Sequence, residues 1–193
     1  MGKSLEERVA ALEEAVNGLR KRNTYFNNLG IGDTFKLAAV DWKILDITEQ
    51  GYLCLAENVR DAKFGKNNNW KESNIREYLN SDFFEKLAKE IGTENIIPFK
   101  RNLLSMDGQT EYGDCEDKVS VINVDEYRKY RSLIPNAGYW WWTLTADSTP
   151  CNDDDTYILV VSPSGLIYYY VCNCSYGVRP LCIFSSSIFE SEE

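Results

Sequence analysis

The stretch from Gly138 to Phe184 constrains the fold of this chain more than any other. It begins with the three tryptophans Trp140–Trp142, and it has no Lys, Arg or Glu between Thr143 and Tyr176. A buried sheet excludes long charged side chains, but the window is also rich in Tyr, Asn, Asp, Ser and Cys. Tyrosine with Asn, Ser and Gly is typical of a recognition surface, because rigid amphipathic rings are combined with adaptable hydrogen-bonding groups. The stretch therefore predicts a sheet that presents a binding face.

The composition excludes several classes of function. The formal net charge of −9 argues against a nucleic-acid partner, because the phosphate backbone requires a basic face. The sequence has no histidine, which excludes Ser-His and Cys-His triads and His-ligated metals. No apolar run approaches the roughly 18–20 residues that a membrane helix needs, so no membrane insertion is expected. The polar N-terminus is not a secretory signal, which indicates synthesis in a cytoplasm.

Six cysteines are spread irregularly along the chain. Their spacing fits neither a disulfide framework nor a zinc site, and reduced thiols are the simpler interpretation in a cytoplasm. We therefore expect no bound metal and no cofactor.

The N-terminal residues carry the pattern of a coiled coil. Ser4 and Glu7 have the spacing of a capping box, in which each side chain bonds the backbone of the other. Apolar residues then recur in a narrow heptad seam, with charged residues on both sides: Leu5, Val9, Leu12, Val16 and Leu19. We expect an oligomerisation helix over residues 1–23 and a linker over residues 24–30.

The seam also contains a pair of opposite charges that bears on the number of strands. Arg8 at a g position and Glu13 at the following e position flank Val9 and Leu12. The segment resembles the short trimerisation motif of coiled coils, in which such a pair clamps neighbouring chains around the apolar positions. The sequence therefore predicts a homotrimer held by this helix, although Val and Leu at the core positions alone would also fit a dimer.

Residues 31–184 have the pattern of one α+β domain, because two or three short helices are set between short strands. A helix over residues 73–80 is expected to end before Ser81, which would cap a second helix reaching Ile91. Residues 105–118 are expected to form an acidic loop, and Asn123 to cap a third helix. Pro163 and Gly165 suit the turn of a hairpin. Residues 185–193 form an acidic tail.

Two groups of residues carry a resemblance to a known family. The first is a Trp-Ser-Ile-Arg-Leu-Asn pattern, and the second combines the three tryptophans with the Gly165 hairpin and a closing Gly-Val-Arg-Pro: Trp70, Ser73, Ile75, Arg76, Leu79, Asn80, Trp140–Trp142, Gly165 and Gly177–Pro180. This combination is similar to a C-type-lectin-like domain, also called formylglycine-generating-enzyme-like, that is common in gut-bacterial and phage proteins. The resemblance covers about residues 31–184 and implies a lectin-like fold behind the coiled-coil helix.

Within that group the chain resembles the variable protein of a diversity-generating retroelement. In such elements a reverse transcriptase rewrites adenines at the 3′ end of the gene, commonly in AAY codons, which cannot become Lys, Glu, Gln, Met or Trp. The window from Thr143 to Tyr176 contains none of these five types. Where the family often has Arg-Ser after the tryptophans, this chain has Thr143-Leu144-Thr145, so these threonines are counted among the variable positions.

The resemblance implies a rigid scaffold and a variable face, with the variable region at about residues 139–176. The expected scaffold residues are Trp70, Arg76, Trp140, Trp141, Gly177 and Arg179. Arg179 is expected to be buried, because its guanidinium can tie several backbone carbonyls together. The expected ligand-binding residues, which should lie mainly on one exposed face, are Thr143, Thr145, Asp147, Asn152, Asp153, Asp154, Tyr157, Tyr168, Tyr169, Tyr170, Asn173 and Tyr176.

The function that follows is binding rather than catalysis. We expect a ligand- or receptor-binding protein displayed on a phage tail or a bacterial cell surface for adhesion, with a protein or glycan on a bacterial or host surface as its partner. One alternative is an enzyme like the formylglycine-generating oxidases, with Cys172 and Cys174 on one face of a strand as a metal-binding pair. Another is a calcium-dependent lectin that chelates the ion through Asn152 and Asp153–Asp155.

Overall fold

The computed structural model describes residues 4–13 and 26–189, and it has the mixed α+β architecture expected from the sequence. Helix α1 is present over residues 5–13. Its capping box is confirmed, because the Glu7 N–H donates to Ser4 Oγ at 3.2 Å and the Ser4 N–H donates to Glu7 Oε2 at 2.8 Å. The seam residues Leu5, Val9 and Leu12 are 76%, 45% and 65% exposed. The rest of the expected seam, at residues 16 and 19, lies outside the described residues.

The described part of the chain contains thirteen strands. In chain order they are β1 (Thr34–Leu37), β2 (Val40–Thr48), β3 (Gly51–Ala56), β4 (Arg60–Lys63), β5 (Ile96–Ile97), β6 (Phe99–Asn102), β7 (Asp114–Asp117), β8 (Ser120–Val121), β9 (Trp141–Ala146), β10 (Tyr157–Val161), β11 (Ile167–Val171), β12 (Ser175–Val178) and β13 (Pro180–Phe184). The further helices are α2 (Asn74–Tyr78), α3 (Phe84–Ile91) and α4 (Val124–Lys129). Short 3₁₀ turns lie at Trp70–Glu72, Thr93–Asn95, Pro150–Asn152 and Ser186–Ile188.

The strands form three sheets. The first has the order β1-β2-β3-β13-β5, with β8 also paired to β13. The second has the order β11-β10-β9-β12-β4, and the third is the antiparallel pair of β6 and β7. In the second sheet β12 runs parallel to its neighbour β9, whereas the other pairs are antiparallel. Strand β11 therefore lies at one edge of this sheet and the tryptophan strand β9 at its centre.

Two hydrophobic cores lie on opposite sides of β9 because successive side chains of a strand point to opposite faces. Trp142 enters the larger core together with Leu79 and Phe83 from the helical segment. Trp141 enters the smaller core with Tyr127 of α4, with ring centroids 5.5 Å apart. All six residues of β9 are consequently buried, and this strand holds the two halves of the domain together.

The helical segment from α2 to α3 is continuous, which corrects the expected break at Ser81. A π-helical turn at Leu79–Phe83 joins the two helices. The Ser81 hydroxyl donates to the Glu77 carbonyl at 2.7 Å, so this side chain is used inside the helix and not as an N-cap. The segment ends at Gly92, whose φ of 84° suits glycine. The capping box of α4 at Asn123 and Glu126 is confirmed.

The expected acidic loop at residues 105–118 contains strand β7, which is a second correction. Its carboxylates are compatible with a strand because β6 presents basic residues opposite them. Lys100 faces Glu116 in the register and also pairs with Asp114, with Nζ and Oδ2 2.6 Å apart. Charged residues on both strands leave no apolar alternation, so the sequence pattern predicted a loop.

The domain extends beyond both ends that the sequence suggested. Phe26 lies in the expected linker, but it is buried and its ring centroid is 4.9 Å from that of Phe35. Phe189 lies in the expected acidic tail and stacks on Tyr52 with ring centroids 4.0 Å apart. Phe26 and Phe189 also contact each other, at 5.6 Å between centroids. Apolar residues before the first strand and after the last strand thus pack against each other and close the core.

Candidate binding surface

One buried carboxylate joins two residues of the Trp-Ser-Ile-Arg-Leu-Asn motif, and we call Trp70, Arg76 and Asp117 the frame. Asp117 accepts from Trp70 Nε1 at 2.7 Å through one oxygen and from Arg76 Nε at 2.7 Å through the other. The Asp117 side chain is fully buried and that of Arg76 is 30% exposed. This contact ties the start of α2 to strand β7. Sequence reasoning found Trp70 and Arg76 but missed Asp117, since it lies 41 residues beyond Arg76.

The other polar residues of the same motif also bond the backbone. Ser73 caps α2 by accepting from the Arg76 N–H at 3.0 Å. The Asn80 side chain donates to the Val119 carbonyl at 2.8 Å and accepts from the N–H groups of Lys118 and Val119 at 3.2 Å. The motif therefore encodes a helix start and two anchors for the chain that follows β7.

Arg179 is buried next to Trp141 of β9. Its Nε donates to the Ala56 carbonyl at 2.9 Å, and its Nη2 lies 3.2 Å from a carboxylate oxygen of Glu57. The guanidinium carbon is 5.0 Å from the centroid of the Trp141 ring, within the range of a cation–π contact. Two residues earlier, the backbone of Gly177 lies close to the ring of Tyr139, because a Cβ on Gly177 would lie 3.0 Å from that ring.

Thr143 and Thr145 do not belong to the exposed face, which corrects two expected ligand-binding residues. Both lie on the central strand β9 and are buried. The Thr143 hydroxyl donates to the Leu159 carbonyl at 2.8 Å, and the Thr145 hydroxyl accepts from the Val124 N–H at 3.1 Å. Thr145 also lines a cleft of about 220 Å³ beside Leu104 and Met106. The two threonines satisfy polar groups inside the domain, and a central strand leaves them no open face.

An aromatic cluster covers the exposed end of the second sheet, and we call Trp140, Tyr168, Tyr170 and Tyr176 the tyrosine surface. Trp140 lies 5.4 Å from Tyr168, 5.2 Å from Tyr170 and 6.0 Å from Tyr176 between ring centroids. Tyr168 and Tyr170 are 47% and 37% exposed, whereas Trp140 and Tyr176 are half-buried. Trp140 was expected to be a scaffold residue, but it forms the base of this exposed cluster.

Tyr157 and Tyr169 lie on the opposite face of the hairpin. Tyr169 pairs with Leu159, whereas Tyr168 and Tyr170 pair with Val160 and Ile158, so Tyr169 points away from its two neighbours. Its ring centroid is 5.4 Å from that of Tyr157, and the two side chains are 58% and 37% exposed. The expectation that the exposed tyrosines share one face is therefore wrong for this pair.

A second acidic loop, residues 147–156 between β9 and β10, adjoins the base of the hairpin. Asn152 and Asp153 are exposed and Asp147 and Asp154 are half-buried. Asn152 Nδ2 lies 3.3 Å from a carboxylate oxygen of Asp107. Burial and the charges of Asp154 and Asp107 raise the pKa of Asp147. The loop therefore gives this end of the surface a negative charge.

Cys172, Asn173 and Cys174 form the turn between β11 and β12, so the two thiols do not lie on one face of a strand as in the enzyme alternative. Asn173 is exposed, Cys172 is buried and Cys174 is half-buried. Within residues 4–13 and 26–189, no three His, Cys, Asp or Glu side chains are grouped so that they could hold a metal ion.

The pKa values of two tyrosine hydroxyls are strongly raised, which gives a prediction for alkaline pH. Burial raises the pKa of Tyr176 to about 12, with further contributions from Cys174 and Tyr170, and burial followed by the charge of Asp155 raises the pKa of Tyr112 to about 12. The folded-state pKa of each hydroxyl lies above its unfolded value near 10, so the folded state holds this proton more tightly. The resulting contribution to the free energy of unfolding is complete below pH 10 and is lost as the pH rises toward 12. We expect stability to fall over that interval.

The measurement is a near-ultraviolet titration of tyrosine ionisation in the folded protein, with unfolding followed by circular dichroism. The Tyr112→Phe and Tyr176→Phe variants should each lack one late-titrating group among the 12 tyrosines of the chain. If all tyrosines of the native protein ionise together near pH 10, the burial of these two hydroxyls is contradicted.

In the comparison with known proteins, one family model matches a part of the chain that includes the frame and not the tyrosine surface. The model of a domain of unknown function, DUF6273, matches residues 43–126. This region includes Trp70, Arg76 and Asp117, whereas the tyrosine surface lies beyond it. No curated protein and no solved structure gives a significant match. Among the helices that the structure describes, none has the length and apolar composition to cross a membrane.

Proposed function

We propose that this protein is a ligand-binding adhesion protein with a C-type-lectin-like domain, and that the tyrosine surface, Tyr157, Tyr169 and the adjoining acidic loop form its recognition site. The observation that carries the proposal is the contrast between β9, which is entirely buried, and β11, whose three tyrosines are exposed. Exposed aromatic residues are costly to leave in water unless they serve an interface, and Tyr and Trp dominate interface hot spots. The proposed site therefore lies on the edge strand of a sheet whose central strand is buried.

The charge of the surface indicates the kind of partner. The window from Thr143 to Tyr176 carries aspartates but no Lys, Arg or Glu. Most of these aspartates lie in the loop at Asp147–Asp154, beside the base of the hairpin. Since like charges facing each other weaken association, a neutral or basic partner surface fits best. We propose display on a phage tail or a bacterial cell surface, with a protein or glycan of another surface as the partner.

A screen tests this proposal directly. The fluorescently labelled full-length chain is applied to a panel of intact bacterial and host cells, to a glycan array and to a displayed peptide library. We expect saturable binding to at least one of these. Absence of saturable binding to every member of the panel would contradict the proposed function.

We further propose that the surface is diversified by a retroelement. The exposed residues of the window, among them Asn152, Tyr157, Tyr168, Tyr169 and Tyr170, belong to the types that adenine rewriting of AAY codons produces, and Trp140–Trp142 lie before the window. Exposed side chains can change without loss of the core. The test is the DNA around the gene: we expect a near-copy of the 3′ coding segment beside a reverse-transcriptase gene. A locus with neither would remove this part of the proposal.

We propose that α1 assembles the chain into a homotrimer, and the Arg8–Glu13 pair beside its seam supports three strands over two. Leu5 and Leu12 lie on one side of the helix and are mostly exposed in the single chain, which is the state of a coiled-coil seam before its partners are added. Arg8 and Glu13 flank this seam in the described part of the helix. Three copies facing one way would also raise a weak single-site affinity through avidity.

The trimer is tested by light scattering of the full chain, a truncated chain and a double variant. We expect the full chain to have three times the mass of one chain, and a chain beginning at residue 24, which keeps Phe26 in the core, to be monomeric. Leu5→Ser with Leu12→Ser should give the same monomer without truncation. A monomeric full-length protein, or a trimer that survives these changes, would show that α1 is not the assembly element.

A further inference from the structure

Strand β11 is an unprotected sheet edge. It is the last strand in the order β11-β10-β9-β12-β4, and its five residues Ile167–Val171 contain no charge, proline or glycine. Proteins usually protect such an edge with a charged side chain, a proline, a bulge or a covering segment, because an open edge accepts another strand. The register of β11 with β10 is continuous over all five residues, so no bulge turns this edge away.

The hydrogen bonds at both ends of the hairpin show which backbone groups face outward. The Ser162 N–H donates to the Leu166 carbonyl at 2.8 Å, and the Cys172 N–H donates to the Thr156 carbonyl at 2.9 Å. In an antiparallel ladder, hydrogen-bonded pairs alternate with pairs that are not bonded. Tyr168 and Tyr170 are therefore bonded to β10.

The residues between them expose their backbone. By the same alternation, the N–H and C=O groups of Ile167 and Tyr169 point away from β10, and in the part of the chain that the structure describes no strand lies on that side of β11. The neighbouring Val171 carbonyl is used, because it accepts from the Cys174 N–H at 3.0 Å. The free edge thus offers the backbone groups of two residues, Ile167 and Tyr169, on either side of the exposed Tyr168.

We propose that β11 docks an extended, neutral or basic segment of a protein partner as an additional strand of the second sheet. The inference rests on the proposed function and deepens it by naming the mode of recognition. Backbone hydrogen bonds give such pairing its affinity, and the alternate side chains give its specificity. The aspartates at the base of the hairpin and the absence of Lys and Arg from the window select against an acidic segment.

This mode explains why exposed tyrosines lie on both faces of the hairpin. The side chains of an added strand alternate between the two faces of the sheet. On one face they meet Tyr168 and Tyr170, and on the other they meet Tyr169 and Tyr157. A ligand bound flat on one face would leave the second pair unused. The backbone of β11 also stays the same when its side chains change, so variants of the surface keep one docking geometry.

The first test uses peptides. Linear peptides are selected from a random phage-displayed library against the full-length chain, and the tightest is synthesised with N-methyl groups at alternate residues. Methylation on the edge that faces β11 removes donors to Ile167 and Tyr169, and we expect affinity to fall at least about tenfold. Methylation at the intervening residues should change it by less than about threefold.

The second test uses a matched pair of variants. Tyr169→Pro removes the outward N–H without breaking a bond to β10, and proline is tolerated on edge strands in this orientation. Tyr169→Thr removes the same ring but keeps the N–H. We expect the proline variant to bind the selected peptide at least about tenfold more weakly than the threonine variant. Both variants should have the same melting temperature as the native chain. If the proline variant does not fold, the N-methyl series on the native chain still decides.

Three results would overturn the inference. They are the absence of enriched peptides, equal effects of the two methylation patterns, and self-association of the chain through β11 in place of peptide binding. A glycan that binds while no peptide is enriched also overturns it but leaves the proposed recognition function intact.

Discussion

Replacement of Asp117 with alanine is expected to lower the free energy of unfolding by about 3–5 kcal/mol. The side chain is fully buried and accepts from both Trp70 Nε1 and Arg76 Nε at 2.7 Å. Alanine leaves the indole N–H buried without a partner and removes the counter-charge of Arg76, and the cost of stranding such groups exceeds the net value of the bonds themselves. The variant should therefore unfold at a much lower urea concentration.

A second carboxylate on the same strand provides the control. Asp114 pairs with Lys100 on the exposed side of β7, where the two side chains are 45% and 73% exposed. Solvent screens this pair, so Asp114→Ala should change the free energy of unfolding by less than about 1 kcal/mol. Urea denaturation of the two variants gives the comparison. Similar stability for both would mean that Asp117 does not join the motif to β7.

The sequence predicted those parts of the fold that depend on local chemistry. The capping boxes of Ser4 and Asn123 and the end of α3 at Gly92 follow from residues within one helical turn. Ile75 and Leu79 are four residues apart in the helical segment, so both side chains reach the core from one face. The turn at Gly165 is likewise local, with a φ of 85°. In each case the physical cause lies beside the residue in the chain.

Features that depend on distant pairing could not be predicted. The role of Asp117 and the strand at Asp114–Asp117 depend on partners far away in the sequence. Thr143 and Thr145 were expected to be exposed because the chain departs at these positions from the pattern of the family that it resembles. They are buried because β9 has a strand on each side and a core on each face. The face on which each tyrosine lies depends on the register, which a shift of one residue would invert.

The second large effect concerns binding. A chain with Tyr168→Ser and Tyr170→Ser is expected to lose about 2 kcal/mol or more of binding free energy, roughly thirtyfold in affinity. Both rings are exposed and rest on Trp140, so their loss removes the outer layer of the tyrosine surface and leaves the core closed. The free energy of unfolding should change by about 0.5 kcal/mol, as for other surface positions. Tyr176 is kept because its ring also packs on Trp142 at 5.0 Å.

The control is Ile31→Ser with Ile47→Ser, which removes two apolar side chains that are 54% and 44% exposed and lie outside the tyrosine surface. Flow cytometry of cells that bind the labelled native chain compares the three proteins, and a thermal melt of each accompanies it. The account predicts that only the tyrosine variant loses binding while all three melt alike. Undiminished binding by the tyrosine variant, or loss of binding that occurs only together with unfolding, would contradict the assignment of these tyrosines to a recognition surface.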